Sequence, residues 1–238
     1  MKPIEVFVRV TPHDGGRDNN KNRPTWFSKE SCFKNLLKTA NKDLANITYY
    51  FDGNIDEHQN HFLFNNNSVK VINCLQGGSD AATFYGLMNY IDSLSLSNNT
   101  AVYMVEDDYI HRPNWSEILL DGFVQNPNGY ISLYDHPDKY WKFVYPDLPA
   151  KINCGHFCYW RTIPSTTSTY ATLYKTFKED LKESLSFCDI PNKSNWDHKR
   201  FVYLTTQKNR TIMSCMPGWS THCMAEYLAP LTSWQKYA

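Results

Sequence analysis

The stretch Ala101-Val102-Tyr103-Met104-Val105-Glu106-Asp107-Asp108 decides the fold. Its first five residues are apolar without alternation, the pattern of a strand covered on both faces, as in a parallel sheet flanked by helices. Three carboxylates follow at once, at the strand's C-terminal end. In open α/β sheets ligands gather outside that edge. Three adjacent acids repel one another unless a cation or solvent compensates, and a divalent ion does so with few carboxylates plus phosphate oxygens.

Outward from this strand, apolar runs alternate with helical patterns. Ile4–Val10 is β-branched and apolar, and Ser28 can cap a helix through about Asn41, with Phe33, Leu36, Leu37 and Ala40 on one face. Ile47–Phe51 reads as a second strand ending at Asp52-Gly53, and Val69–Leu75 as a third ending at Gln76-Gly77-Gly78. Ser79 can cap a helix in which Ala82, Tyr85, Leu87, Met88, Ile91 and Leu94 recur at helical spacing. Downstream, Trp115–Phe123 suits a short helix and Tyr130–Tyr134 a strand. Past about residue 135 aromatics and prolines cluster, and a Ser/Thr tract occupies Ser165–Thr169. Ala171–Ser184 is a predicted helix, Asp189–Asn195 a loop, Asp197 the cap of a helix to about Thr206, and Thr211–Cys215 a last strand. The alternation predicts one α/β domain over 1–238 with a mostly parallel sheet. Residues 1–135 would form its ligand-binding half and 136–238 a C-terminal elaboration.

Composition narrows the partners. Lys+Arg and Asp+Glu both number 24, so no global field draws the chain to nucleic acid or to an anionic surface. No window approaches the length of a membrane span, and the N-terminus runs straight into a strand pattern. Seven cysteines without paired spacing suit reduced thiols, so a cytoplasmic location is expected.

Val102-Tyr103-Met104-Val105-Glu106-Asp107-Asp108-Tyr109 resembles the D-x-D-bearing strand end of glycosyltransferases with the GT-A fold, especially those similar to family 2. The N-terminal strand and loop, Asp52 after the second strand, Gly77-Gly78 at a helix entry and His222 in Gly218-Trp219-Ser220-Thr221-His222 follow the family's order. The resemblance implies a Rossmann-like nucleotide-binding domain that moves a sugar from a nucleotide-sugar donor, UDP- or GDP-linked, to a carbohydrate or glycoconjugate acceptor. It implies that Asp52 contacts the base or ribose, and that Glu106 and Asp108 take the first and third D-x-D positions. Asp108 would be the principal ligand of Mn2+ or Mg2+, with Glu106 and His222 completing the shell. Thr11, Arg17, Gly77, Gly78 and Asp107 would line the nucleotide. The sequence departs from the pattern in having Glu at the first acid position and in carrying Ala81-Ala82-Thr83-Phe84 where the family often has an Arg.

An inverting transfer needs a carboxylate to take the acceptor's proton. Asp197, in Asn195-Trp196-Asp197-His198, is the first candidate, and Asp135, in Tyr134-Asp135-His136, is its rival. Tyr140, Trp141, Tyr159 and Trp160 are candidates both for a sugar-stacking platform and for core. A sugar nucleotidyltransferase, or a carbohydrate-binding protein without catalysis, would use the same sheet. The former is poorly matched by His13-Asp14-Gly15-Gly16-Arg17 after the first strand.

Overall fold

The computed structural model describes residues 2–12, 22–66, 69–74 and 77–238. The strands are β1 (Ile4–Val10), β2 (Ala45–Phe51), β3 (Lys70–Asn73), β4 (Ala101–Glu106), β5 (Tyr109–His111), β6 (Tyr130–Ser132), β7 (Ile152–Cys154), β8 (Tyr159–Thr162), β9 (Tyr170–Leu173), β10 (Cys188–Asp189), β11 (Ser194–Asn195), β12 (Ile212–Met216) and β13 (Ser220–His222). The helices are α1 (Lys29–Thr39), α2 (Asp80–Ser93), α3 (Trp115–Gln125), α4 (Tyr174–Ser186) and α5 (Asp197–Gln207). Among the described residues, nine strands form one sheet in the order β3-β2-β1-β4-β9-β6-β12-β8-β7. Only β9 and β8 run against the rest. The mostly parallel α/β sheet is therefore as expected, and the carboxyl ends of β1, β2, β4, β6 and β12 share one edge.

Alternation along β1 and β4 builds two cores. Ile4, Val6, Val8, Val10, Tyr103 and Val105 meet α1 and α3, whereas Phe7, Val102 and Met104 meet α2, α4 and α5. Both faces of β4 are sealed, which is why its sequence shows no polar alternation. The helix starts are local chemistry. Ser28 accepts the Ser31 amide at 3.0 Å while Ser31 Oγ accepts the Ser28 amide at 3.2 Å, and Ser79 Oγ accepts the Ala82 amide at 3.1 Å.

Three expectations change. The helix read from Ala171 starts at Tyr174, because Tyr170–Leu173 is β9, wedged antiparallel between β4 and β6. Asp197 is the first residue of α5 rather than its cap, which is Trp196. His222 follows β12, the strand expected to be last, but a further strand holds it. It lies within β13, which pairs with β5 so that His222 stands opposite Tyr109, just past the acids. The two short strands make a ribbon beside the main sheet, and that ribbon carries the late histidine to the acid turn. No helix among the described residues is long and apolar enough to cross a membrane.

At the opposite edge, the fully buried Asp180 of α4 ties three elements together. It accepts the Tyr130 hydroxyl at 2.9 Å, and Arg210 grips it with Nε at 2.7 Å and NH2 at 2.9 Å. Arg210→Met should strip a buried carboxylate of its bidentate partner and lower unfolding free energy by about 3 kcal/mol in urea titrations. A loss within error of zero would mean that Lys208, 3.5 Å away, suffices.

Candidate active site

Each acid of the turn has its own cation, and each cation comes from a different segment. Glu106 ends β4 opposite Arg9 of β1, whose NH2 is 3.0 Å from Glu106 Oε1. Arg9 also pairs with Asp80 at the start of α2 and lies 5.0 Å over the Phe84 ring. Asp107 Oδ2 receives the Thr11 amide at 2.9 Å and Lys29 Nζ at 2.8 Å. Lys29 is buried in the first turn of α1, where the helix dipole disfavours a cation, so Asp107 accounts for its being there. Asp108 Oδ2 meets Arg23 NH2 at 2.7 Å and His222 Nε2 at 2.9 Å. The His222 ring stacks on Tyr109, with centroids 5.3 Å apart.

Burial shapes the titration of these groups. It pushes the Glu106 carboxyl up to about 7, with Asp108 and Asp80 adding to the rise and Arg9 opposing it. Burial likewise raises Asp107 against the pull of Lys29. For Arg9 burial disfavours the charge, but Asp80 and Glu106 outweigh it and hold the guanidinium above its ordinary value.

The Ser/Thr tract joins this turn to Asp197. Thr169 Oγ1 accepts the Glu106 amide at 3.1 Å, and Thr167 shares a 2.6 Å hydrogen bond with the Tyr109 hydroxyl. Ser168 Oγ donates to Asp197 Oδ2 at 2.5 Å and accepts Asn195 Nδ2 at 3.1 Å. The other Asp197 oxygen pairs with Arg200, which is fully buried and 4.5 Å over Phe84. Arg9 and Arg200 thus share one aromatic ring, and Asp197 belongs to the same charged cluster as Glu106 and Asp80. Burial raises the Asp197 carboxyl, with Arg200 and Ser168 opposing.

Other predicted residues divide. Asp52 follows β2, with Oδ1 accepting the Gly78 amide at 3.0 Å and Oδ2 accepting the Thr83 hydroxyl. A Cβ at Gly77 would stand 1.6 Å from Asp52 Oδ1, so the close approach requires glycine. Asp52 therefore clasps the entry to α2. Asp135, 1% exposed past the end of β6, accepts Arg161 NH2 at 2.9 Å and the Tyr140 hydroxyl at 2.7 Å. Of the aromatic candidates, Trp160 is core and donates to Asp121 at 2.9 Å, whereas Tyr140 and Tyr159 are exposed. Arg17 lies outside the described residues.

The expected metal shell of Glu106, Asp108 and His222 is not brought together. Glu106 turns to Arg9, and only Asp108 and His222 share a contact, which Arg23 also occupies. Among the described residues no three His, Cys, Asp or Glu side chains group so as to hold a metal ion. To Mn2+ or Mg2+ the described residues offer one carboxylate and one imidazole, Asp108 and His222, with Arg23 on the same carboxylate oxygen. Arg9, Arg23, Lys29 and the Ser/Thr tract were absent from the predicted site. Arg9 had a signal, an arginine between Val8 and Val10 in a strand with Val6 and Phe7, which calls for a buried carboxylate. Arg23 had none, since 85 residues separate it from Asp108.

No protein-family model matches the sequence, and neither does any curated protein. Among solved structures the chain is similar to one from Desulfovibrio desulfuricans G20, provisionally described as a nucleotide-diphospho-sugar transferase. The TM-score is 0.54 at 9% identity, over 90% of this chain and 80% of that one. At that identity the likeness speaks for the fold.

The Glu106 shift carries a sign. Between its ordinary 4.5 and about 7 the folded chain holds a proton that the unfolded chain has released, so stability should fall as pH rises through that window. Asp107 contributes in the same direction. Glu106→Gln should flatten the slope of unfolding free energy against pH without abolishing it. An unchanged slope would show that Glu106 ionises normally in the folded protein.

Proposed function

We propose that the chain is a glycosyltransferase that moves a sugar from a UDP- or GDP-sugar to a hydroxyl of a carbohydrate or glycoconjugate acceptor, with inversion at the anomeric carbon. The acid turn at the carboxyl end of β4 carries this reading. It lies on the sheet edge where ligands gather, beside the end of β1, and a similar fold occurs in a protein provisionally described as a nucleotide-diphospho-sugar transferase. Thr11, Asp52, Gly77 and Gly78 would shape the nucleotide side, Asp52 acting by fixing the glycine entry to α2 through its own carboxylate.

Transfer requires the acceptor oxygen to bond to the anomeric carbon while the bond to the diphosphate oxygen breaks, the electron pair leaving with the nucleotide. The acceptor's proton must go to a base. Asp197 suits that role better than Asp135. Both carboxylates are held at both oxygens and raised by burial, but the Asp197 side chain keeps 21% of its surface, within reach of an acceptor, whereas Asp135 is 1% exposed. Arg200 and Ser168 would hold the carboxylate in place and stabilise it between turnovers.

Asp197→Asn should lower turnover by about 10²–10⁴-fold with little change in donor affinity, because the amide keeps the shape and loses the base. The check is nucleotide release from a panel of UDP- and GDP-sugars with carbohydrate acceptors, together with the product anomer by nuclear magnetic resonance. Retention of configuration, or abolition of transfer by Asp135→Asn while Asp197→Asn turns over normally, would remove Asp197 from this role.

A further inference from the structure

We infer that Arg23 is the cation that receives the donor's diphosphate, and that donor binding needs no divalent metal at Asp108; this rests on the nucleotide-sugar reading. Arg23 stands on the Asp108 oxygen that His222 also approaches. Its NH2 is 2.7 Å from Asp108 Oδ2, on the same oxygen that His222 Nε2 approaches to 2.9 Å. It is also built in. NH1 donates to the Cys223 carbonyl at 2.8 Å, and the guanidinium carbon lies 4.4 Å over the Phe27 ring. The backbone on either side docks as well, with the Ala225 amide donating to the Asn22 carbonyl at 2.9 Å. A divalent ion at that oxygen would have to evict the guanidinium or sit beside a like charge. Among the described residues it would find Asp108 and His222 and would draw the rest of its shell from phosphate oxygens and water, whereas the guanidinium is already in place.

Among the described residues, three cations pair with the turn, and of these Arg23 is the one placed to reach a ligand. Its side chain is 14% exposed, against 7% for Arg9 and 2% for Lys29, both of which are spent inside the fold. The two bonds it makes leave further N–H groups of its planar fork for a second anion, and that fork matches phosphate oxygens bidentately. Asp108 and His222 then act as positioning residues that aim Arg23. The charge that develops on the leaving diphosphate is met by a fixed guanidinium, a form of electrostatic stabilisation that needs no ion to enter or leave with each turnover.

Calorimetric titration of the full chain with UDP and with GDP, each in EDTA and in excess Mn2+, tests this on the unaltered protein. At least one nucleotide should bind in both buffers with affinities within about twofold of each other. Arg23→Ala should weaken that binding in EDTA by about tenfold or more, the loss of a charge-assisted contact, and Arg23→Lys should recover part of it. Thermal melting establishes that the variants are folded. Binding that appears only with Mn2+, or an Arg23→Ala protein that binds normally in EDTA, would overturn the role of Arg23 and leave the nucleotide-sugar reading standing. No binding of either nucleotide in either buffer would overturn both.

Discussion

The confinement of three consecutive carboxylates at the carboxyl end of β4 is the constraint on which the rest of this structure depends. Charges removed from water have to be paired, and the fold meets that requirement by bringing cations from three separate segments to one turn: Arg9 from β1, Lys29 from the start of α1 and Arg23 from the segment before it. Each pairing fixes something else. Arg9 locks α2 to β1 through Asp80, Lys29 binds the Thr11 carbonyl and so holds the chain where it leaves β1, and Arg23 draws the loop after His222 against the acids. The turn serves as the hub of the carboxyl edge as well as its ligand-facing rim.

The same economy explains the C-terminal half. β9 is inserted between β4 and β6, so the Ser/Thr tract that leads into it must pass over the acid turn. Small hydroxyl side chains suit that path because they satisfy the Glu106 amide, the Tyr109 hydroxyl and the Asp197 carboxylate with little bulk. Asp197 reaches the charged cluster by this route. The carboxylate proposed to accept a proton and the turn proposed to face the donor are therefore parts of one hydrogen-bonded unit.

Much of the first half was legible in the sequence because its signals are local. Ile4–Val10 and the strand from Ala101 are apolar runs bounded by polar residues, and Ser28 and Ser79 cap their helices as their positions suggest. β9 was hidden because Tyr170–Leu173 runs into α4 without a glycine or proline break, and its partners, Ala101–Met104 and Tyr130–Ile131, are distant in sequence. β5 and β13, three residues each, are too short to show a period. The acids themselves were legible, but their compensation was not. Repulsion among adjacent carboxylates requires positive charge nearby, and nothing in a linear sequence says whether that charge is an ion or the protein's own side chains.

The central claim is that the carboxyl edge between β1, β2 and β4 receives the nucleotide of a sugar donor. A crystal of the protein soaked with UDP, and a second with GDP, tests it most directly. The account predicts nucleotide density on that edge with the diphosphate against the Glu106–Asp108 turn. Nucleotide bound elsewhere on the molecule, with that crevice holding only solvent, would contradict it.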